Sequence, residues 1–329
     1  MLSSKLSNYL PNGFPHGGGI ETSAKLWACD ATEILDLSTG LHPAGSPEWL
    51  AKWLGQHASL VGHYPEVNGE PARSVLADEL GVLPENILMT AGAQAVIEVI
   101  FQAMAWKSVA IEVPCYNEPI RCAQRARCQV FAFERGTERS EQGAEAECLW
   151  VTSPSNPFGD TSELSCTWAG VLDESYMPFS QRRDLGLMEG LIRLGSLTKT
   201  FCIPGLRLGY VVASKMQIQQ LKQWLPPWPA STLALHVLPH LLAESDKRDA
   251  EVMLCRARLA KLLQRYGWQM VASQSSFLMA KPSGKMPNFA AAKILVRTFP
   301  EWPQLNGWVR FGLPGNEPAW QRLEETLWQ

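Results

Sequence analysis

The chain has no apolar run approaching the ~18 residues a membrane span requires, so a membrane-embedded role is not expected. It has no strong charge of either sign. Its 29 basic and 32 acidic residues leave a net charge of -3 and are well mixed, which argues against a nucleic-acid or polyanion surface. A phosphorylated ligand would therefore need a local basic pocket. The eight cysteines form no CxxC pair, and the six histidines include a single i, i+4 pair, His236 and His240, with no zincin glutamate and with Pro239 between them. No metal site is expected. No Gly-x-Ser-x-Gly elbow, Walker loop, repeat or low-complexity tract occurs. The first fifteen residues lack a basic-then-apolar pattern, so the cysteines are expected as reduced thiols in a cytoplasmic protein.

What is present is a 329-residue chain with 46% hydrophobic content, enough for one large domain and a smaller one. Seven short apolar runs recur at 87–90, 109–113, 130–133, 148–151, 170–173, 191–194 and 208–212. Connections of crossover length separate most of them, and 95–105 and 118–127 have helical patterns. That predicts an α/β fold with a mostly parallel seven-stranded sheet covered on both faces. After Ser214 the periodicity becomes helical, over 215–225, 231–245 and 247–266. Strand-like segments follow at 276–280 and 308–313, with a last helix over 317–328. The expected division is an N-terminal segment 1–40, a large domain 41–214 and a small α+β domain 215–329.

The stretch Gly195–Tyr210 is the chemical centre of the chain. Lys199 sits between small hydroxyl residues, and a Pro-Gly turn, Arg207 and an apolar strand follow. A lysine amine condenses with an aldehyde cofactor, and Ser196, Thr198 and Arg207 are donors suited to a phosphate close by. Other parts of such a site stand at expected strand ends. Gly92, Ala93 and Gln94 follow the first run and supply backbone donors. Tyr116 follows the second run and offers a ring to stack on. Asp173 ends the run Val171-Leu172, where a nearly buried carboxylate needs a cationic partner such as a protonated pyridine nitrogen. Asn156 and Tyr176 are placed to hydrogen-bond a ring hydroxyl. Arg310 is the candidate clamp for a substrate carboxylate, whereas Arg193, between apolar neighbours, reads as structural. The loop Gly13–Gly19 is irregular, with His16 and Gly17 beside backbone donors that suit an anion.

The string Ser196–Tyr210, the run Asp173-Glu174-Ser175-Tyr176 and the Asp36–Pro43 segment resemble fold-type I enzymes that use pyridoxal 5'-phosphate (PLP), in the branch of histidinol-phosphate aminotransferases and threonine-phosphate decarboxylases. The resemblance implies the fold-type I transferase fold, PLP on Lys199 and a small phosphorylated amino acid as substrate. It also implies a homodimer in which Tyr64 reaches the neighbouring cofactor phosphate. His16-Gly17-Gly18 and the Phe311–Gly315 tail are similar to the cobalamin-pathway side of the branch. That side implies decarboxylation of O-phospho-L-threonine to (R)-1-amino-2-propanol phosphate, with His16 and Gly17 at the substrate phosphate. An aminotransferase and, more remotely, a non-catalytic PLP-binding protein remain alternatives. One departure stands out. Between Asn156 and Asp173 the relatives place a full crossover helix, and here only a turn or two fits. A thinly covered sheet face near Val151 and Val171 is expected.

Overall fold

A computed structural model of the protein describes residues 16–135, 144–161 and 169–328. A short strand, β1 (Leu35–Asp36), precedes a central sheet of seven strands: β2 (Ile87–Thr90), β3 (Ser108–Val113), β4 (Gln129–Glu134), β5 (Cys148–Thr152), β6 (Gly170–Asp173), β7 (Leu191–Ser196) and β8 (Gly209–Val212). All seven expected runs form strands. Their spatial order is β2-β8-β7-β6-β5-β3-β4, and only β8 runs antiparallel to its neighbours. Strands β2, β5, β6, β7 and β8 are buried along their whole length, which is why they read as continuous apolar runs rather than alternating ones. The chain steps outward from β3 to β4, then returns to the other side of β3 for β5 and continues to β8. That reversal is a topological switch point, and ligands in open α/β sheets bind outside the carboxyl ends of the strands there.

The helical patterns hold with small shifts at 118–125, 215–222, 232–242, 245–265 and 317–328, and a further helix forms at Ala72–Glu79. The stretch 95–105 forms two short helices, Gln94–Ile97 and Ile100–Met104. A second sheet follows, ordered β12-β10-β9 from β9 (Trp268–Met270), β10 (Phe277–Pro282) and β12 (Val309–Gly312), and β11 (Ile294–Leu295) pairs in parallel with β1. Leu37 shares this unit's core with Leu263, Phe311 and Leu323. Ile218 and Leu221, and Leu235 and Leu238, bury their side chains in the cores of the seven-stranded sheet, so the small unit's packing starts within the helix Ser245–Arg265.

The crossover between β5 and β6 includes residues 162–168, which lie outside the described residues. The thin cover expected at Val151 and Val171 is not found, for both are buried. Val171 packs in the larger core with Trp150. Val151 packs on the opposite face with Leu149, Leu172 and Leu191, under Leu185 and Met188. The segment after the helix Phe179–Arg183 supplies this cover, and its apolar residues are too few and too irregular to announce it in sequence.

Beneath the carboxyl end of β6 lies a fully buried ion pair. Arg193 Nε donates to Glu174 Oε2 at 2.8 Å, and the Tyr210 hydroxyl donates to Glu174 Oε1 at 2.6 Å. Arg193 also donates to the carbonyl of Arg182 at 2.9 Å, so its charge is fully engaged and it is structural, as its apolar neighbours suggest. Removing one member of such a pair leaves the other buried without compensation. Arg193→Met is expected to destabilise the fold by about 3 kcal/mol or more, read from urea denaturation. A loss below about 1 kcal/mol would mean that Glu174 finds another partner or a proton at little cost.

Candidate active site

A cavity of about 280 Å³ opens at the carboxyl ends of the central strands. Every residue nominated from sequence lines it except Tyr64. Lys199 stands in the short helix Leu197–Thr200 directly after β7, with Nζ 5.8 Å from the centre of the Tyr176 ring. Ser196 and Thr198 are buried, and their hydroxyl oxygens lie 2.6 Å apart. Arg207 is exposed, in the left-handed region with φ 56°, and its Nη2 donates to the carbonyl of Ala91 at 3.5 Å. Two glycines make this approach possible. A Cβ on Gly92 (φ 80°) would stand 2.9 Å from Arg207 Nη2, and one on Gly209 would stand 2.6 Å from the backbone nitrogen of Ala93. Backbone amides, two hydroxyls and a guanidinium thus gather beside Lys199, a donor set suited to a phosphate.

Tyr116 follows β3, and its hydroxyl donates to Gln94 Oε1 at 3.1 Å. Burial, reinforced by the nearby carboxylates of Glu118 and Asp173, pushes its phenol up, so it stays neutral. Asp173 closes β6 and is 4% exposed. Its Oδ1 accepts from the backbone N–H of Ser175 at 3.0 Å. No cation forms an ion pair with it among the described residues. Burial raises its pKa, and the hydrogen bonds from Ser175 work against that rise. A buried carboxylate facing a cavity without a cationic partner fits a protonated pyridine nitrogen, and on this observation the residues present fit PLP.

Arg310, on β12, is also buried. Its Nη1 donates to Asn156 Oδ1 at 2.5 Å and its Nη2 to the carbonyl of Ser38 at 2.6 Å. Its Nε has no hydrogen-bond partner among the described residues. Neutral oxygens position the guanidinium, so its charge is not cancelled by a neighbouring carboxylate. The oxygen of Asn156 is therefore committed to Arg310, and its amide nitrogen is the group left to donate. Tyr176 donates to the carbonyl of Thr39 at 3.1 Å. His16 reaches the cavity with Nε2 3.1 Å from Glu118 Oε1. A Cβ on Gly17 would lie 2.7 Å from the carbonyl oxygen of Ser38, so a side chain there would force the segment off Ser38.

Residues 33–316 match the family model for aminotransferase class I and II. The chain belongs to that family. A threonine-phosphate decarboxylase of Sinorhizobium sp is 30% identical, covering 95% of this chain and 97% of the relative. Another, from Pseudomonas aeruginosa, is 28% identical and covers 95% and 96%. The crystal structure of a histidinol-phosphate aminotransferase from Sinorhizobium meliloti in complex with pyridoxal-5'-phosphate has a TM-score of 0.82 at 17% identity over 94% of each chain, which establishes a shared fold. The fold of this aminotransferase-family chain is the fold-type I transferase fold that the resemblance at Ser196–Tyr210 implies.

Tyr64 lies away from the cavity. It is 80% exposed, and its ring centre is 4.4 Å from that of Trp228. Sequence reasoning missed Asn117, Arg297 and Glu301, which all line the cavity. Arg297 lies in no motif. An isolated antiparallel bridge places it beside Arg310, with backbone hydrogen bonds of 3.2 and 2.9 Å. Pairing between segments thirteen residues apart leaves no local signature. Glu98, Glu118 and Cys122 also approach one another, but Arg121 and Arg125 already ion-pair with the two carboxylates, which disfavours a metal there.

Proposed function

We propose that the chain is a PLP-dependent decarboxylase that converts O-phospho-L-threonine to (R)-1-amino-2-propanol phosphate in cobalamin biosynthesis. The observation that carries this reading is near-full-length likeness, at 28–30% identity, to two threonine-phosphate decarboxylases. Bound PLP supplies an electron sink that lets a bond at the amino acid's α-carbon break. The chain supplies the rest. Lys199 anchors the cofactor and, once released, is the amine placed to deliver a proton to the carbon that loses carbon dioxide. Asp173 holds the ring nitrogen protonated, and Tyr116 covers a ring face. Gly92, Ala93, Gln94, Ser196, Thr198 and Arg207 hold the cofactor phosphate. Asn156 and Tyr176 serve the ring hydroxyl, and Arg310 orients the substrate carboxylate. His16, Gly17 and Arg297 stand at the substrate phosphate. In this reading the protein is a cytoplasmic homodimer. The exposed Tyr64 belongs to the dimer interface and reaches the cofactor phosphate of the second copy.

A second reading, a histidinol-phosphate aminotransferase, is favoured by relatives of that name, one of them 25% identical over 82% of this chain, from Nostoc sp.. One experiment separates the two. PLP-loaded protein is incubated with O-phospho-L-threonine while carbon dioxide and the phosphorylated amine are followed by mass spectrometry. One-to-one release is expected. No release, with conversion of the cofactor to its pyridoxamine form by histidinol phosphate, would overturn the decarboxylase reading and select the aminotransferase. Turnover of neither substrate would leave a binding protein.

A further inference from the structure

One corner of the cavity has an unusual balance of donors and acceptors. Glu301 and Asn117 both line the cavity and are 1% and 2% exposed. Arg297 Nη2 ion-pairs with Glu301 Oε1, and Asn117 Nδ2 donates weakly to the same oxygen at 3.5 Å. The other two oxygens, Glu301 Oε2 and Asn117 Oδ1, have no hydrogen-bond partner among the described residues. Both are acceptors, so they cannot satisfy each other, and a buried acceptor left unmatched is costly. The nearby bases are also engaged, for His16 faces Glu118 at 3.1 Å as Arg297 faces Glu301. A fully ionised phosphoryl group brought here would carry two negative charges and no donor into a corner that already holds the carboxylates of Glu118 and Glu301, the second with an unmatched oxygen.

We propose that Glu301 and Asn117 determine the protonation state of the bound substrate: they accept a hydrogen bond from a singly protonated phosphoryl group, so the pocket selects the monoanion of its phosphorylated amino acid. This deepens the phosphoamino-acid reading above and rests on it. The P–O–H group keeps its proton and donates to Glu301 Oε2 or Asn117 Oδ1, while the remaining charged oxygens face Arg297 and His16. The second ionisation of a phosphate monoester falls at about pH 6. The selected species therefore declines about tenfold per pH unit well above that value. The cavity groups that titrate or carry charge include Arg297 and Arg310 from the small unit, with Tyr116, Asp173, Tyr176, Lys199, Arg207 and His16 from the other side, His16 facing Glu118.

The test compares two probes that do not lose carbon dioxide: (R)-1-amino-2-propanol phosphate and its O-sulfate counterpart. The sulfate ester has one negative charge and no proton at any working pH. Binding of each to the PLP-loaded protein is measured by calorimetry at pH 6 and pH 8. The ratio of the two affinities cancels titrations of the protein that affect both ligands alike. The phosphate is expected to bind at least about tenfold more tightly than the sulfate at pH 6. This preference should collapse by at least about tenfold at pH 8. In Glu301→Gln the amide donates to an ionised oxygen, so the preference should change by less than about threefold between the two pH values. A ratio that is the same at both pH values in the natural protein, or identical pH behaviour in the natural protein and the variant, overturns the proposal. Failure of both probes to bind at pH 6 overturns it together with the phosphoamino-acid reading. A pH-dependent ratio without carbon dioxide release in the separate assay removes the decarboxylase reading alone.

Discussion

Lys199→Ala is expected to lower turnover of O-phospho-L-threonine by about 10⁴-fold or more while leaving the fold intact. In the roles proposed for Lys199 the magnitude combines two losses, the covalent anchor for the cofactor and a positioned proton donor, and the second alone contributes about 10²–10⁴-fold. Geometry makes the effect specific. Lys199 directly follows β7 in a four-residue helix, so its position is set by the central sheet rather than by a mobile loop. Its ammonium group lies 5.8 Å from the Tyr176 ring centre, and the side chain is half-buried at the cavity wall. Truncation therefore removes little packing, and the melting temperature of the cofactor-free variant should match that of the natural protein. Single-turnover carbon dioxide release, with cofactor absorbance recorded in parallel, checks both arms. Activity within tenfold of the natural protein would show that a group other than Lys199 carries the proton.

The parts of this site that can be read in the sequence are those carried by strand ends. Asp173, Tyr116, Gly92 and Lys199 each follow an apolar run, so the order and spacing of the runs suffice to place them on one edge of the sheet. Arg310 is legible for the same reason, as a guanidinium within the expected strand 308–313. Residues placed by pairing between distant segments are not legible. Arg297 owes its position to a bridge with Arg310. Glu301 follows Phe299 and Pro300 in an irregular stretch, and nothing local distinguishes it from a surface acid. Asn117 is adjacent to Tyr116 in sequence, yet its orphaned oxygen matters only because the fold brings Glu301 beside it. The same contrast holds for the fold. The seven strands announce themselves by continuous hydrophobicity, whereas the helices 215–222 and 232–242 have apolar faces that do not say which sheet they cover.

Asp173→Asn should move stability and activity in opposite directions, and the cause lies in a single carboxylate. In the cofactor-free protein this group is buried at the end of β6, held by Ser175 and without an ion-pair partner among the described residues. Burial raises its pKa above the ordinary value of 3.8. The folded chain therefore holds a proton on Asp173 in a pH range where the unfolded chain has released it. Stability from this group is fully present below the ordinary value and is lost as pH rises from there through the raised value. Above the ordinary value this buried, titrating group therefore weakens the cofactor-free fold, and asparagine, which fills the same space without titrating, should strengthen it. Urea denaturation of cofactor-free protein should show the variant more stable at pH 7, with the advantage shrinking at the acid end of the window. Cofactor reverses the order. In the proposed role, where Asp173 would hold the ring nitrogen protonated, its charge would become the favourable member of a buried pair, and its loss should cost roughly 10²–10³-fold in turnover. It should also weaken cofactor retention on dialysis. A cofactor-free variant less stable than the natural protein at pH 7 would show that a cation already compensates Asp173 in the empty protein. Full activity in the loaded variant would show that the ring nitrogen does not depend on this carboxylate, and the assignment of Asp173 to it would be wrong.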